Sequence, residues 1–219
     1  MKQIKLNLND QEQINKTAKI VAGVLKNGGV VVYPTDTLYG LGANAFNEDA
    51  IVKVQKIKKQ DRSKPISVVV KDIKMARRIA CIDSKVEKIL NRIWPGPITA
   101  VLRKKDIIPY ILTGAGETVA VRISDNKFVS ALLSKIDFPV TATSANISGE
   151  NNLLKPEEIV EKLGGEKTSP DLFINTGKIK NSIASTIIDL TASTPKIIRM
   201  GIVGTEEIKK FFEKFDVGY

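Results

Sequence analysis

Val30-Val31-Val32-Tyr33-Pro34-Thr35-Asp36-Thr37-Leu38-Tyr39-Gly40-Leu41-Gly42 is the stretch on which the fold class turns. Its apolar opening is short and uninterrupted, which reads as a strand covered on both faces over Val30–Tyr33. The chain then leaves through a turn rich in hydroxyls and glycine, in which Asp36 and Thr37 are expected to cap backbone amides. Upstream, Asp10 and Gln13 stand at capping-box spacing. Ile14, Ala18, Val21 and Leu25 share one helical face before Gly28-Gly29 stops the run. Helix, strand and polar turn in succession indicate an α/β sheet, whose ligands gather at strand ends.

The same alternation continues outward. Helices are expected at about Asp49–Lys59, Ser84–Ile93, Lys127–Ile136, Pro156–Leu163 and Glu206–Phe215. Strands are expected at Ile66–Val70, Thr99–Leu102, Thr118–Ile123, Val140–Thr143, Leu172–Ile174, Thr186–Leu190 and Ile197–Ile198. No linker, low-complexity tract or internal repeat interrupts them, so residues 1–219 read as one α/β domain. Within Thr118–Ile123, Val119, Val121 and Ile123 point one way and Ala120, Arg122 and Ser124 the other. Arg122 therefore leaves a sheet face, where its charge needs an anion.

Composition narrows the chemistry. The chain has 219 residues, 42% of them hydrophobic, enough for a proper core. Cys81 is the single cysteine. Its setting, Ala80-Cys81-Ile82, suggests a buried thiol, and a lone cysteine suits a reducing compartment. Histidine is absent, which removes the usual general base and the commonest metal ligand. No apolar run approaches a membrane span and the N-terminus lacks a signal-peptide core, so a cytoplasmic protein is expected. The formal charge is +10, and Lys53–Lys105 alone carries 16 basic and 4 acidic residues. That excess should form a basic face or cleft for anionic partners, nucleotide phosphates or RNA.

Three further polar clusters accompany the turn after Tyr33. Lys58-Lys59-Gln60-Asp61-Arg62-Ser63-Lys64-Pro65 is a basic run between a helix and a strand. No P-loop pattern occurs, so phosphates bound here would rely on side-chain cations. Thr141-Ala142-Thr143-Ser144-Ala145-Asn146-Ile147-Ser148-Gly149 is small and polar after a strand. Ser185-Thr186 opens one strand and Arg199-Met200-Gly201 closes another. Taken singly, each cluster also reads as an ordinary turn, cap or solvated strand end.

Their order and spacing resemble the YrdC-like threonylcarbamoyl-AMP synthases over about Asp10 to Ile202. The resemblance also rests on Trp94-Pro95-Gly96-Pro97-Ile98-Thr99, Val121-Arg122-Ile123 and Ser185-Thr186-Ile187-Ile188-Asp189. It implies an open, twisted, mixed α/β sheet with flanking helices, curved around a large basic cavity. It implies an enzyme that joins ATP, L-threonine and bicarbonate into threonylcarbamoyl-AMP, with Mg2+ accompanying ATP. A downstream transferase complex would use the product to modify tRNA. Thr35, Ser67, Arg122, Ala142 and Ser185 would contact threonine. Lys58, Arg62, Thr118, Ser144, Asn152 and Arg199 would contact ATP, with Lys58 and Arg62 acting on developing phosphate charge. Asn146 would order its loop.

Relatives place an arginine where this chain has Gln60, so Arg62 is the candidate to supply that charge. Many relatives also have proline at Met200, and longer ones carry a second domain. Two other readings fit parts of the pattern: the carbamoyltransferase domain of hydrogenase maturation, and a double-stranded RNA or ribosome-binding module, which would touch tRNA or other RNA without catalysis.

Overall fold

The computed structural model describes residues 1–179 and 183–208. Its elements run β1 (Lys2–Lys5), α1 (Gln11–Lys26), β2 (Val31–Pro34), β3 (Tyr39–Gly42), α2 (Glu48–Ile57), β4 (Val68–Val69), α3 (Ile73–Ile79), α4 (Ser84–Ile93), β5 (Ile98–Arg103), α5 (Tyr110–Thr113), β6 (Thr118–Arg122), α6 (Lys127–Leu133), β7 (Val140–Thr141), β8 (Thr143–Ser144), α7 (Pro156–Gly164), β9 (Leu172–Asn175), β10 (Thr186–Asp189) and β11 (Lys196–Arg199).

Two hydrogen-bonded sheets hold these strands, in the orders β1-β9-β2-β3-β8 and β11-β10-β5-β6-β4-β7. Both are mixed: β2 runs parallel to β9 and antiparallel to β3, and β10 runs parallel to β5 and antiparallel to β11. The α/β class with a mixed sheet and flanking helices holds, while the expected Val140–Thr143 strand divides between the sheets. Val140-Thr141 pairs with β4 and Thr143-Ser144 pairs with β3. Thr141 secures this junction, its hydroxyl donating to Leu41 O and accepting from Ala43 N, both at 2.8 Å.

Alternation along β2 explains why the opening stretch is apolar throughout. Val30 and Val32 belong to one core with β3, β5, β6 and α4, whereas Val31 and Tyr33 belong to another with α1 and α6. Tyr33 is fully buried, and burial holds its hydroxyl well above the usual tyrosine range, so it stays protonated and donates to Thr141 O at 2.9 Å. Its ring also explains a glycine. A Cβ on Gly42 would stand 2.7 Å from Tyr33 Cε1. The glycine-rich segment read as a polar turn is therefore the strand β3, laid flat beneath an aromatic ring.

Helix starts follow their caps. Asp10, Asn47, Asp72 and Asp83 each accept a backbone N–H from the third residue onward. Only half of the expected capping box at Asp10 forms, because the Gln13 side chain accepts from Asn7 N instead. β1, α3 and α5 are additional to the sequence reading. Residues 205–208 are helical, and the rest of the expected Glu206–Phe215 helix lies outside the described residues. Cys81 is exposed, contrary to the buried thiol expected: α3 has ended at Ile79, and Cys81 follows the strand-like bridge of Ala80 to Lys104 at the surface. Among the described residues no helix is long and apolar enough to cross a membrane.

Candidate active site

A cavity of about 500 Å³ lies where the two sheets meet. Thr35 and Thr37 enter it from the turn after β2, Ser67 from the approach to β4, Thr118 and Arg122 from β6, and Ala142 and Ser144 from the sheet junction. Asn152, Ser185 and Arg199 close the remaining wall. Nine of the twelve residues proposed from sequence thus share one space, including all five assigned to threonine. Lys58, Arg62 and Asn146 are not among its lining residues. A more voluminous groove of about 660 Å³ runs between α1, α3, α4 and α6, but of the named clusters it receives only residues flanking Arg122 and Trp94-Pro95.

The turn after β2 is organised by Thr35, not by Asp36 and Thr37 as expected. Thr35 Oγ1 accepts from Thr37 N at 3.1 Å and Leu38 N at 3.2 Å and contacts Leu38 O at 2.7 Å. This frees Asp36 and Thr37 to meet Arg122. The Arg122 guanidinium is buried and donates through Nη1 to Thr37 Oγ1 at 3.1 Å. Its Nη2 lies 3.4 Å from Asp36 Oδ1, which also accepts the Ser124 hydroxyl. The anion that sequence reasoning required for Arg122 is thus already present in the chain. Alternation of Arg122 with Ser124 placed both on one face; no sequence signal linked them to Asp36.

On the opposite wall, Ser185 Oγ lies 2.8 Å from Thr99 Oγ1, and Arg199 Nη2 donates to Ser185 O at 2.8 Å. Partial burial, and then the field of Arg122, lower the affinity of Arg199 for its proton; the two guanidiniums feel one another. Gly201 makes this wall possible, since a Cβ there would come within 2.4 Å of the backbone of Ala184, Ser185 and Thr186. The Arg-x-Gly motif therefore seats an arginine by letting two backbones touch. Thr99, which the sequence places in a strand and in the Trp94–Thr99 motif but not among the candidate site residues, also lines the cavity with Val101, two positions on; period-two alternation identifies this pair.

Lys58 lies beneath the Ser144–Gly149 loop. Its ammonium donates to Ser144 O at 2.5 Å, Asn146 O at 2.9 Å and Asn146 Oδ1 at 3.1 Å. Three acceptors use three donors. Burial pushes Lys58 down to about 8. Asn146 extends the network, its Oδ1 accepting from Ser144 Oγ at 2.6 Å and its Nδ2 donating to Glu150 O at 2.7 Å. Gln60 donates through Nε2 to Lys64 O at 3.0 Å, while Arg62 is exposed three residues before Pro65 at the cavity wall.

The expected source of cavity charge also differs. Its cationic lining residues, Arg122 and Arg199, lie outside Lys53–Lys105. Within that stretch Lys53 pairs with Asp171, Lys59 with Glu166, Arg77 with Glu87 and Arg78 with Asp137 on the surface. Sequence proximity does not put these cations in one place, because α2, α3 and α4 turn them outward.

Comparison with known proteins agrees with this architecture. Residues 23–201 match the Sua5/YciO/YrdC family, described as "Telomere recombination". The threonylcarbamoyl-AMP synthase of Pyrococcus abyssi is 33% identical over 205 residues, covering 93% of this chain and 59% of that protein. The chain therefore spans under two thirds of that relative. The crystal structure of P. abyssi Sua5 complexed with L-threonine superposes with a TM-score of 0.85 at 31% identity, over 96% of this chain and 60% of the other. E. coli YciO, 27% identical, superposes with a TM-score of 0.78 over 92% of this chain and 95% of its own.

Proposed function

The chain belongs to the Sua5/YciO/YrdC family, and from that premise we propose that it is a nucleotidyltransferase forming threonylcarbamoyl-AMP and pyrophosphate from L-threonine, bicarbonate and ATP. The observation that carries this reading is the cavity itself, where the cationic fork of Arg122 and several hydroxyls share one concave space with Arg199. The solved relative bound to L-threonine supports the choice of amino acid. Thr35, Ser67, Arg122, Ala142 and Ser185 hold threonine in this reading, with Arg122 taking its carboxylate as a planar fork. Thr118, Ser144, Asn152 and Arg199 hold the nucleotide, joined by Arg62 from outside the lining, while Lys58, whose three donors are taken by Ser144 and Asn146, supports the nucleotide wall from beneath the loop.

Bicarbonate gives up hydroxide to become carbon dioxide, which the threonine amine captures as a carbamate; the proton lost from the amine joins the hydroxide and leaves as water. A carbamate oxygen then attacks the α-phosphorus of ATP, and the bond to the pyrophosphate leaving group breaks. No covalent enzyme intermediate is needed, so the absence of histidine is no obstacle. The protein contributes proximity, orientation and charge. Among the described residues no group of three or more acidic, cysteine or histidine side chains is arranged to hold a metal. Mg2+ fits this reading as an ion carried by the nucleotide's phosphates, whose charge it offsets. The product would pass to a tRNA-modifying transferase complex in the cytoplasm.

The test is to incubate the pure protein with ATP, magnesium, bicarbonate and labelled threonine and to resolve the products. An AMP-linked threonine species is expected. RNA binding that falls steeply with salt, with no such product formed, would favour the RNA-binding reading instead.

A further inference from the structure

Asp36 takes no part in the chemistry above, yet it stands directly behind the proposed carboxylate contact. Arg122 is 5% exposed and lines the cavity, as does Thr37, whereas Asp36 does not line it. Asp36 Oδ1 lies 3.4 Å from Arg122 Nη2 and accepts the Ser124 hydroxyl. Its Oδ2 is buried without a hydrogen-bond partner. A pair selected for stability alone would use both carboxylate oxygens against the guanidinium fork. Here one oxygen is unsatisfied, and donors of the guanidinium are left for the cavity. An under-satisfied buried carboxylate of this kind calls for a functional reason.

We infer that Asp36 is a positioning residue that acts as the internal counter-ion of Arg122, so that the empty cavity rejects simple inorganic anions while still accepting a ligand carboxylate. The inference rests on the reading of Arg122 as the threonine contact. Arg199 faces Arg122, and two uncompensated guanidiniums in one concave space would concentrate anions indiscriminately. With Asp36 beside it, Arg122 offers little net charge, and an entering anion also meets the repulsion of the Asp36 carboxylate. A phosphate ion attracted mainly by charge gains little there. A planar carboxylate gains directed hydrogen bonds from the fork, whose plane is fixed by Thr37.

The experiment titrates orthophosphate, at ionic strength held constant with potassium chloride, into wild type, Asp36→Asn and Asp36→Asn/Arg122→Gln. Thermal midpoint and, where turnover is measurable, the KM for threonine are followed. Asparagine keeps the acceptor for Ser124 and removes the charge. In Asp36→Asn, phosphate should raise the midpoint and increase the threonine KM by about tenfold, with kcat little changed by phosphate. Wild type and the double variant should respond equally weakly, through the nucleotide contacts alone. Equal phosphate responses in wild type and Asp36→Asn, or a response in the double variant as large as that of Asp36→Asn, would overturn the inference. If Asp36→Asn does not fold, recovery of folded protein in the double variant supports the counter-ion assignment, and failure of both overturns it. The thermal arm needs no turnover, so it stands apart from the proposed function: absence of threonine binding in wild type would sink that reading alone.

Discussion

Arg122 shows how a single side chain joins sequence to function. Strand alternation placed it on a sheet face, and the structure buries it at the cavity between Asp36 and Thr37. Arg122→Lys keeps the charge and loses the planar fork, so threonine KM should rise by about 10–100-fold while nucleotide affinity stays unchanged. Threonine and nucleotide titrations check this; a parallel fall in nucleotide affinity would make Arg122 a phosphate ligand. Gln60 poses a second question at this scale, since the family resemblance leads one to expect a cation there. Arg62, exposed three residues before the cavity-lining Pro65, is the candidate to supply that charge. Arg62→Ala should lower the rate of pyrophosphate release by about 10²-fold or more, Gln60→Ala should be mild, and Gln60→Arg should partly restore Arg62→Ala. Near-full activity in Arg62→Ala would show that the site runs with one cation fewer.

The Ser144–Gly149 loop folds around Lys58, and its order depends on that ammonium. Three carbonyl and amide oxygens accept from it, while burial pushes Lys58 down to about 8 from an ordinary 10.5. Raising the pH through about 8 removes a donor from the loop, so kcat/KM should fall on an alkaline limb near that value. Stability moves the other way. Between about 8 and 10.5 the unfolded chain holds the proton more tightly than the folded one, so the contribution of Lys58 to stability rises with pH. The difference in unfolding free energy between wild type and Lys58→Met should shift toward wild type across that window. Activity and stability falling together would identify general alkaline unfolding instead. Gly201 belongs to the same scale: Gly201→Ala forces backbone apart at Ser185, and should destabilise the fold by about 1–3 kcal/mol, measured by denaturant unfolding.

Legibility followed the strength of local signals. α1 and α4 could be read because caps and a 3.6-residue apolar period agree, and β2 because every residue is buried. β3 could not, since glycines chosen to fit under Tyr33 imitate a turn. α5 is one turn long, too short for any period. The site was legible as a set of motifs in order. The Asp36–Arg122 pair was not, because it joins residues 86 positions apart through tertiary packing alone.

For the whole molecule, the proposed function makes the junction of two mixed sheets a container for three reactants. Residues from β6, the β2–β3 turn, the β7–β8 crossing and the Ser185–Arg199 wall converge there, so chemistry that needs only proximity and charge can proceed. Serine lacks the threonine methyl and should be a poorer substrate by about 1–3 kcal/mol in kcat/KM, which competition kinetics would measure. The central claim is that the cavity couples an amino acid and bicarbonate to ATP cleavage. Pyrophosphate release from ATP, followed with threonine and bicarbonate each present or omitted, tests it most directly. Release is expected only when both are supplied, and equal release with neither would contradict the claim.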